Sequence, residues 1–190
     1  MSLRSAGRLQ PLEHYRQYLI LLARVQVDPR LTHRFDASDL VQHTLLEACE
    51  NWAQYRGKTQ GELIAWLRRI LANNLADALR GLGRAKQNAA RERSLEEALA
   101  NSSARLEAII PAEESSPSQQ ADRHERAVQL ANALAELPEN QRDAVTLRYW
   151  HGWSLLEIGT HLDRTPSAVA SLLKRALRQL RWLLKEQGEP

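Results

Sequence analysis

From Thr165 to Gln187 the chain reads TPSAVASLLKRALRQLRWLLKEQ, with no glycine and no proline after its second residue. Thr165 suits a helix N-cap, and Pro166 suits the first helical position, where a missing N–H costs nothing. Val169, Leu172, Ala176, Leu180 and Leu183 recur at three- and four-residue steps and make one apolar stripe. Lys174, Arg178, Arg181 and Lys185 recur at the same steps but start two residues off that stripe. At about 100° per residue they point about 200° away from it. From Arg164 to Lys185 there are six basic residues and no acidic one. Such a helix has one face fit for burial and another that is uniformly cationic.

Charge on a helix face is common, and a solvated amphipathic helix would account for this stretch alone. The segment before it points further. Ser154-Leu155-Leu156-Glu157 has the spacing of a capping box, in which the Ser hydroxyl serves the Glu157 N–H and the Glu carboxylate reaches back. The short helix that follows carries Leu155, Ile158 and Leu162 on one face, and Gly159 lets a second helix cross close by. Asp163-Arg164 makes a tight turn. A short helix, a turn and a longer helix with polar residues at its N-terminus predict a helix-turn-helix. The second helix would enter a major groove by its N-terminal end, which carries Ser167, Ala168, Ala170, Ser171, Lys174 and Arg175.

The chain has 190 residues, room for one ordinary domain or two small ones. Formal net charge is only +3, but the distribution is uneven: the C-terminal helix is basic, while acids gather between Glu92 and Glu139. Uneven charge of this kind favours an anionic partner at one end. Cys49 is the single cysteine, so no intrachain disulfide is possible, and a small core residue on a helix is its expected part. No apolar run approaches the ~18 residues of a membrane span, and MSLRSAGRLQ has no hydrophobic signal region, so a cytoplasmic chain is expected, with no membrane insertion. Helix formers dominate without a period-2 run, which predicts an all-α protein.

In the N-terminal half, Leu12, Tyr15, Leu19, Leu22 and Val25 predict a first helix over about Pro11–Val27, ended by Asp28-Pro29. A second helix is expected from Asp36, an N-cap candidate, with Asp39 in its first turn, where negative charge is favourable. Val41, Leu45, Ala48 and Trp52 form its expected buried stripe; Asp39, Gln42, His43 and Glu47 lie outside it. The polar loop Tyr55–Gly61 contains Gly57-Lys58-Thr59, but without the upstream glycine and strand of a phosphate-binding loop. A third helix over about Glu62–Arg80 has Leu63, Leu67, Ile70, Leu71, Leu75 and Ala78 as its expected core side. Trp66, Arg69, Asn73 and Arg80 fall together on another side. Trp66 reads equally as core packing or as an aromatic platform beside arginines and an amide, the set that unpaired nucleic acid requires.

Gly81, Gly83 and Arg84 end that helix. Residues 85 to about 108 are helix-permissive, and PAEESSPSQQ at 111–120 has the composition of a flexible linker. Two small helical domains are expected, over 10–84 and 122–187, joined by a linker over 85–121.

Two stretches in this order resemble a known family. Asp39–Ala48 (DLVQHTLLEA), Tyr55-Arg56-Gly57, Ala65–Asn74 (AWLRRILANN) and Asp77–Arg80 (DALR) are similar to region 2 of bacterial sigma factors of the extracytoplasmic-function group. Leu134–Arg142 (LAELPENQR), Leu147–Trp150 (LRYW), Leu156–Gly159 (LEIG), Ala168-Val169 and Arg175–Leu177 (RAL) are similar to region 4. The resemblance implies a sigma factor that binds core RNA polymerase, recognises −35 and −10 promoter elements and aids strand opening. It implies that Asp39, Gln42 and Glu47 meet the β′ clamp helices. It implies that Tyr55, Arg56, Trp66, Arg69, Asn73 and Arg80 meet the −10 element, with Asn73 at the family's pocket for a flipped base. It implies that Ser167, Ala170, Ser171, Lys174 and Arg175 face −35 bases, and that Arg178 and Arg181 meet phosphates. The partners it implies are core polymerase, through the β′ clamp helices and the β flap, and promoter DNA; it also admits an anti-sigma factor. The chain departs from the family in Ala170, which offers only apolar contact, and in Asp163, where glycine is frequent. The acids Glu113 and Glu114 fit either a mimic of nucleic-acid charge in the polymerase channel or a plain spacer.

Two other classes compete. A helix-turn-helix regulator that binds duplex DNA without polymerase explains the C-terminal half but leaves Asp39–Arg80 without a task. A helical adaptor predicts no DNA affinity. No catalysis, cofactor or metal is expected: the six histidines show no metal-ligand spacing with one another or with Cys49, and there is no nucleophile elbow or dinucleotide fingerprint.

Overall fold

The computed structural model describes residues 11–29, 35–81, 89–109 and 119–186, and these contain helices, turns and loops with no strand. Residues 85–88 and 110–118 of the expected linker, Glu113 and Glu114 among them, lie outside the described residues. The chain divides between Val128 and Gln129 into two compact units. The first holds α1 (Arg16–Val25), α2 (Ala37–Glu50), a 3-10 turn (Asn51–Gln54), α3 (Gln60–Gly81) and α4 (Ala89–Ile109). Helix α5 (Gln119–Ala135) contributes to both units, and α6 (Glu139–Tyr149), α7 (Leu155–Leu162) and α8 (Pro166–Glu186) complete the second.

Helix α1 is the centre of the first unit. Its expected stripe is buried, but so are Tyr18, Ile20, Leu21 and Ala23, so the helix is apolar almost all round. It achieves this by packing on α2, α3 and α4 together. Residues 89–109, expected as linker, are the third of these partners. Tyr18 Oη donates to Ser103 Oγ (2.9 Å), Gln26 Nε2 donates to Ser102 Oγ (2.9 Å), and Leu99 and Leu106 are fully buried. The inward positions between Leu99 and Leu106 include Ser102 and Ser103, satisfied by Gln26 and Tyr18, so the buried side of α4 carries little apolar signal.

Asp36 caps α2 as expected, accepting from Ser38 N–H (2.8 Å) and Asp39 N–H (3.2 Å). Val41, Leu45, Ala48 and Cys49 are buried. Trp52 departs from the expected stripe. Helix α2 ends at Glu50, and the tighter 3-10 turn rotates Trp52 out of register, leaving it half-buried. Helix α3 begins at Gln60 rather than Glu62. Thr59 and Glu62 form the cap: Glu62 Oε2 accepts from Lys58 N–H (2.6 Å) and Thr59 N–H (3.0 Å), and Glu62 N–H donates to Thr59 Oγ1 (3.2 Å). Its core side is also shifted. Leu67, Ile70, Leu71 and Leu75 are buried as expected, joined by Ile64, Ala72, Ala76 and Leu79, whereas Leu63 and Ala78 are only half-buried. Leu79 owes its burial to Val27 and Leu95, partners distant in sequence.

The second unit follows its sequence closely. The buried residues of α8 are Val169, Leu172, Ala176, Leu180 and Leu183. Val169 and Leu172 join Ala144, Leu147 and Ile158 in one core, with Trp153, Leu155, Leu162 and Leu173 packed against it. The capping box forms: Glu157 N–H donates to Ser154 Oγ (3.2 Å), and Ser154 N–H donates to Glu157 Oε2 (2.8 Å). Asp163 closes α7 in the left-handed region, φ 52° and ψ 55°, as its short polar side chain tolerates. Thr165 Oγ1 accepts from Ala168 N–H (3.2 Å) at the start of α8.

Gly159 shows why the turn is so tight. A Cβ there would lie 2.6 Å from the Arg164 carbonyl oxygen, while the Arg164 N–H donates to the Gly159 carbonyl at 2.8 Å. Gly159→Ala is therefore expected to destabilise the second unit by about 1–3 kcal/mol, read by denaturant unfolding. The capping hydrogen bonds from Ser154 hold the Glu157 carboxyl below its ordinary pKa. The charged-cap contribution is thus complete above the unfolded-state pKa and is lost as pH falls through the folded one. Glu157→Gln keeps a neutral cap, so its thermal midpoint should change less than the wild type's between about pH 5 and pH 3.

Candidate nucleic-acid interface

Two separate surfaces collect the residues expected to meet nucleic acid. On α8, Ser167, Ala170, Ser171, Lys174, Arg175, Arg178 and Arg181 are all exposed. The first three are small and sit on the first turns, where a helix can approach base edges closely. Lys174 and Arg175 follow within the next turn, long enough to reach guanine acceptors. Arg178 and Arg181 lie further along, and a guanidinium is a group suited to phosphate oxygens. No acidic side chain of α8 precedes Glu186, so the face is cationic along its length. Trp182, one turn beyond Arg178, was not singled out from the sequence. It is 55% exposed and lines a shallow groove with Gln141, Arg175, Arg178 and Gln179.

The second surface lies at the N-terminal end of α3. Trp66 is neither core nor free-standing. It is half-buried, and Tyr55 and Trp52 gather on it, with centroid distances of 5.0 Å (Tyr55–Trp66), 6.0 Å (Trp52–Trp66) and 5.4 Å (Trp52–Tyr55). Trp52 is the member that periodicity missed, because the 3-10 turn breaks the helical count. Burial first, and then the negative charge of Glu62, push the Tyr55 phenol above its ordinary pKa, so it is a neutral donor near pH 7. Arg56 is exposed, with its guanidinium folded onto the Ala53 and Tyr55 carbonyls. Arg69 and Asn73 are exposed on successive turns of α3. Arg80, further along the same side, is half-buried and ion-paired with Asp77. Trp66, Arg69 and Asn73 thus form an open aromatic, cationic and amide surface, whereas Arg80 is already engaged.

The three acidic or amide residues expected to bind a protein partner separate. Asp39 and Gln42 are exposed on α2. Glu47 is half-buried, and its Oε2 accepts from Asn74 Nδ2 (2.9 Å), which also donates to Thr44 Oγ1 (3.2 Å). This amide clamps α2 to α3. Asn74 could have been found in the sequence only by pairing two helices in advance. Among the described residues no group of three or more His, Cys, Asp or Glu side chains is placed to hold a metal, and no helix is long and apolar enough to cross a membrane.

Comparison with known proteins matches both units. The family described as sigma-70 region 2 matches residues 13–85, and the family described as sigma-70, region 4 matches residues 127–180. Among curated relatives, the ECF RNA polymerase sigma factor SigL of Mycobacterium tuberculosis is 31% identical, over 80% of this chain and 76% of its own length. The RNA polymerase sigma factor CarQ of Myxococcus xanthus is 33% identical, over 79% of this chain and 75% of its own. The ECF RNA polymerase sigma factor SigE of Mycolicibacterium smegmatis is 32% identical, over 83% of this chain and 55% of its own. With a region 2 unit, a region 4 helix-turn-helix unit and relatives at this identity, the chain belongs to the extracytoplasmic-function group of the sigma-70 family, the promoter-recognising sigma factors of RNA polymerase.

Proposed function

We propose that the three surfaces divide the work of a sigma factor among themselves. The exposed Asp39 and Gln42 on α2 meet the β′ clamp helices of core polymerase. Glu47 serves that contact by holding α2 on α3 through Asn74. The Trp66–Arg69–Asn73 side of α3, with Tyr55 lying against Trp66, Arg56 on the adjoining loop and Arg80 at its far end, is the surface to which the −10 element comes as its strands part. Stacking on the rings takes any base, the guanidinium groups meet phosphates, and the Asn73 amide can read an extruded base edge. In the second unit, Ser167, Ala170, Ser171, Lys174 and Arg175 face −35 bases, and Arg178 and Arg181 hold the backbone. The β flap is the polymerase element that would position this unit, and an anti-sigma factor would compete for the same surfaces. The chain then works by binding alone: polymerase anchors it, duplex contacts set the register, and unpaired bases are trapped as they appear.

The observation that carries this reading is the pairing of an unbroken cationic face on α8 with a separate aromatic cluster beside arginines on α3. The first suits duplex DNA and the second suits single strands, and initiation requires both. A duplex-only regulator would have no use for the second.

The test is run-off transcription with purified bacterial core polymerase on genomic promoter fragments, with and without this protein. Discrete start sites are expected only with it; a protein that shifts duplex DNA but neither binds core nor changes initiation would sink the reading. Arg175→Ala should cost about 1–3 kcal/mol of promoter discrimination, roughly 5- to 150-fold in start-site use. Arg178→Ala should weaken all promoters alike and lower the salt slope of binding by about 1. Asp39→Arg should lower affinity for core polymerase at least tenfold in a pull-down titration, while Asp39→Ala, which removes the first-turn charge without reversing it, should separate that loss from the small drop in thermal midpoint that loss of a favourable helix-end charge brings.

A further inference from the structure

The aromatic cluster has an internal arrangement that its composition does not require. The Tyr55 and Trp66 planes are inclined by 32° at 5.0 Å between centroids, closer to a stack than to an edge contact. Trp52 meets Trp66 edge-on, at 74°. Tyr55 thus covers a face of Trp66, and Trp52 borders the pair. The Tyr55 hydroxyl donates a 3.3 Å hydrogen bond to the Thr59 carbonyl, and its ring lies against Trp52 and Trp66. Gly57 makes the position possible, because a Cβ on it would overlap the Tyr55 ring atoms. The far side of the loop is tied to the start of α3 by the Thr59–Glu62 cap. A tied loop end and a bare glycine together steer one ring onto another.

We infer that Tyr55 is a place-holder for a nucleobase: in the free protein its ring occupies the stacking face of Trp66, and an extruded base of the separated promoter strand displaces it and takes that seat, with Trp52 as the second wall. The inference rests on the proposed −10 role of this α3 surface. A base–aromatic stack and an aromatic pair are of similar strength, so the exchange is nearly balanced. A paired base gives up its own stacking and pairing to enter and loses the exchange; a base already unpaired does not. Tyr55 adds the same displacement step for every base, on top of the unpairing cost that a duplex base alone must meet. It also keeps a sticky indole face covered until strands part.

The experiment uses holoenzyme reconstituted from core polymerase and the full chain. The probe is a single-stranded oligonucleotide from the non-template −10 region of a promoter mapped by run-off, with one 2-aminopurine substitution, whose fluorescence is quenched on stacking. Tyr55→Ala removes the competitor and should tighten binding about 3- to 10-fold, deepening the quench. Gly57→Ala removes no aromatic ring but pushes Tyr55 off Trp66, and should tighten binding in the same direction. Trp66→Ala should weaken binding and abolish the quench. Gly57→Ala also covers the case in which Tyr55→Ala loses thermal stability. If Gly57→Ala leaves binding unchanged or weaker, or if Tyr55→Ala weakens it alongside Trp66→Ala, the place-holder is overturned while the −10 surface stands. If Trp66→Ala changes nothing, the −10 surface falls and the place-holder with it.

Discussion

Burial of one stripe of α8 is the constraint on which the second unit depends. Val169, Leu172, Ala176, Leu180 and Leu183 must all leave water, and once they do, the rotation of the helix is set. Lys174, Arg178 and Arg181 are then outward by geometry, and burying any of them unpaired would cost several kcal/mol. The same rotation lifts Ser167, Ala170 and Ser171 to the open end of the helix. The tight entry into α8 depends on two local features, the buried Gly159 under the Arg164 carbonyl and the left-handed Asp163. A single apolar pattern therefore decides both what holds the unit together and what it shows to solvent.

The first unit solves a different problem. Its central helix is apolar nearly all round, so it must be wrapped, and α2, α3 and α4 do this together. Wrapping consumes the inner faces of those helices and leaves their outer faces exposed. The polar braces Tyr18–Ser103, Gln26–Ser102 and Asn74–Glu47 set the helices against one another where apolar contact alone would permit sliding. The last brace takes a carboxylate that α2 would otherwise present outward. Outward presentation and internal support thus draw on the same side chain, and Asn74 holds the Glu47 Oε2.

Where the chain leaves α2, the 3-10 turn changes the count from 3.6 residues per turn to about three. That change moves Trp52 from the core side to the rim and brings it to Tyr55 and Trp66. The cluster is assembled from three places in the sequence: a helix end, a loop and a helix start. Its position beside Arg56, Arg69 and Asn73 gives region 2 an aromatic floor with charged and amide sides.

The sequence by itself determined the all-α class, the two motif-bearing units, the buried stripe and cationic face of α8, the Ser154–Glu157 cap and the exposure of Asp39, Gln42 and Arg69. Each of these follows from local spacing, because a helix that buries one stripe exposes the opposite one whatever it packs against. Tertiary structure alone decided that residues 89–109 form a packed helix, that Ile64 and Leu79 are core while Leu63 and Ala78 are not, that Glu47 turns to Asn74, and that Trp52 and Tyr55 cover Trp66. Those outcomes hang on contacts between residues far apart in the chain. Ser102 and Ser103 read as polar until Tyr18 and Gln26 satisfy them, and Trp52 reads as core until a non-helical turn redirects it. Periodicity records which face of a helix is buried; it carries no record of what arrives to bury it.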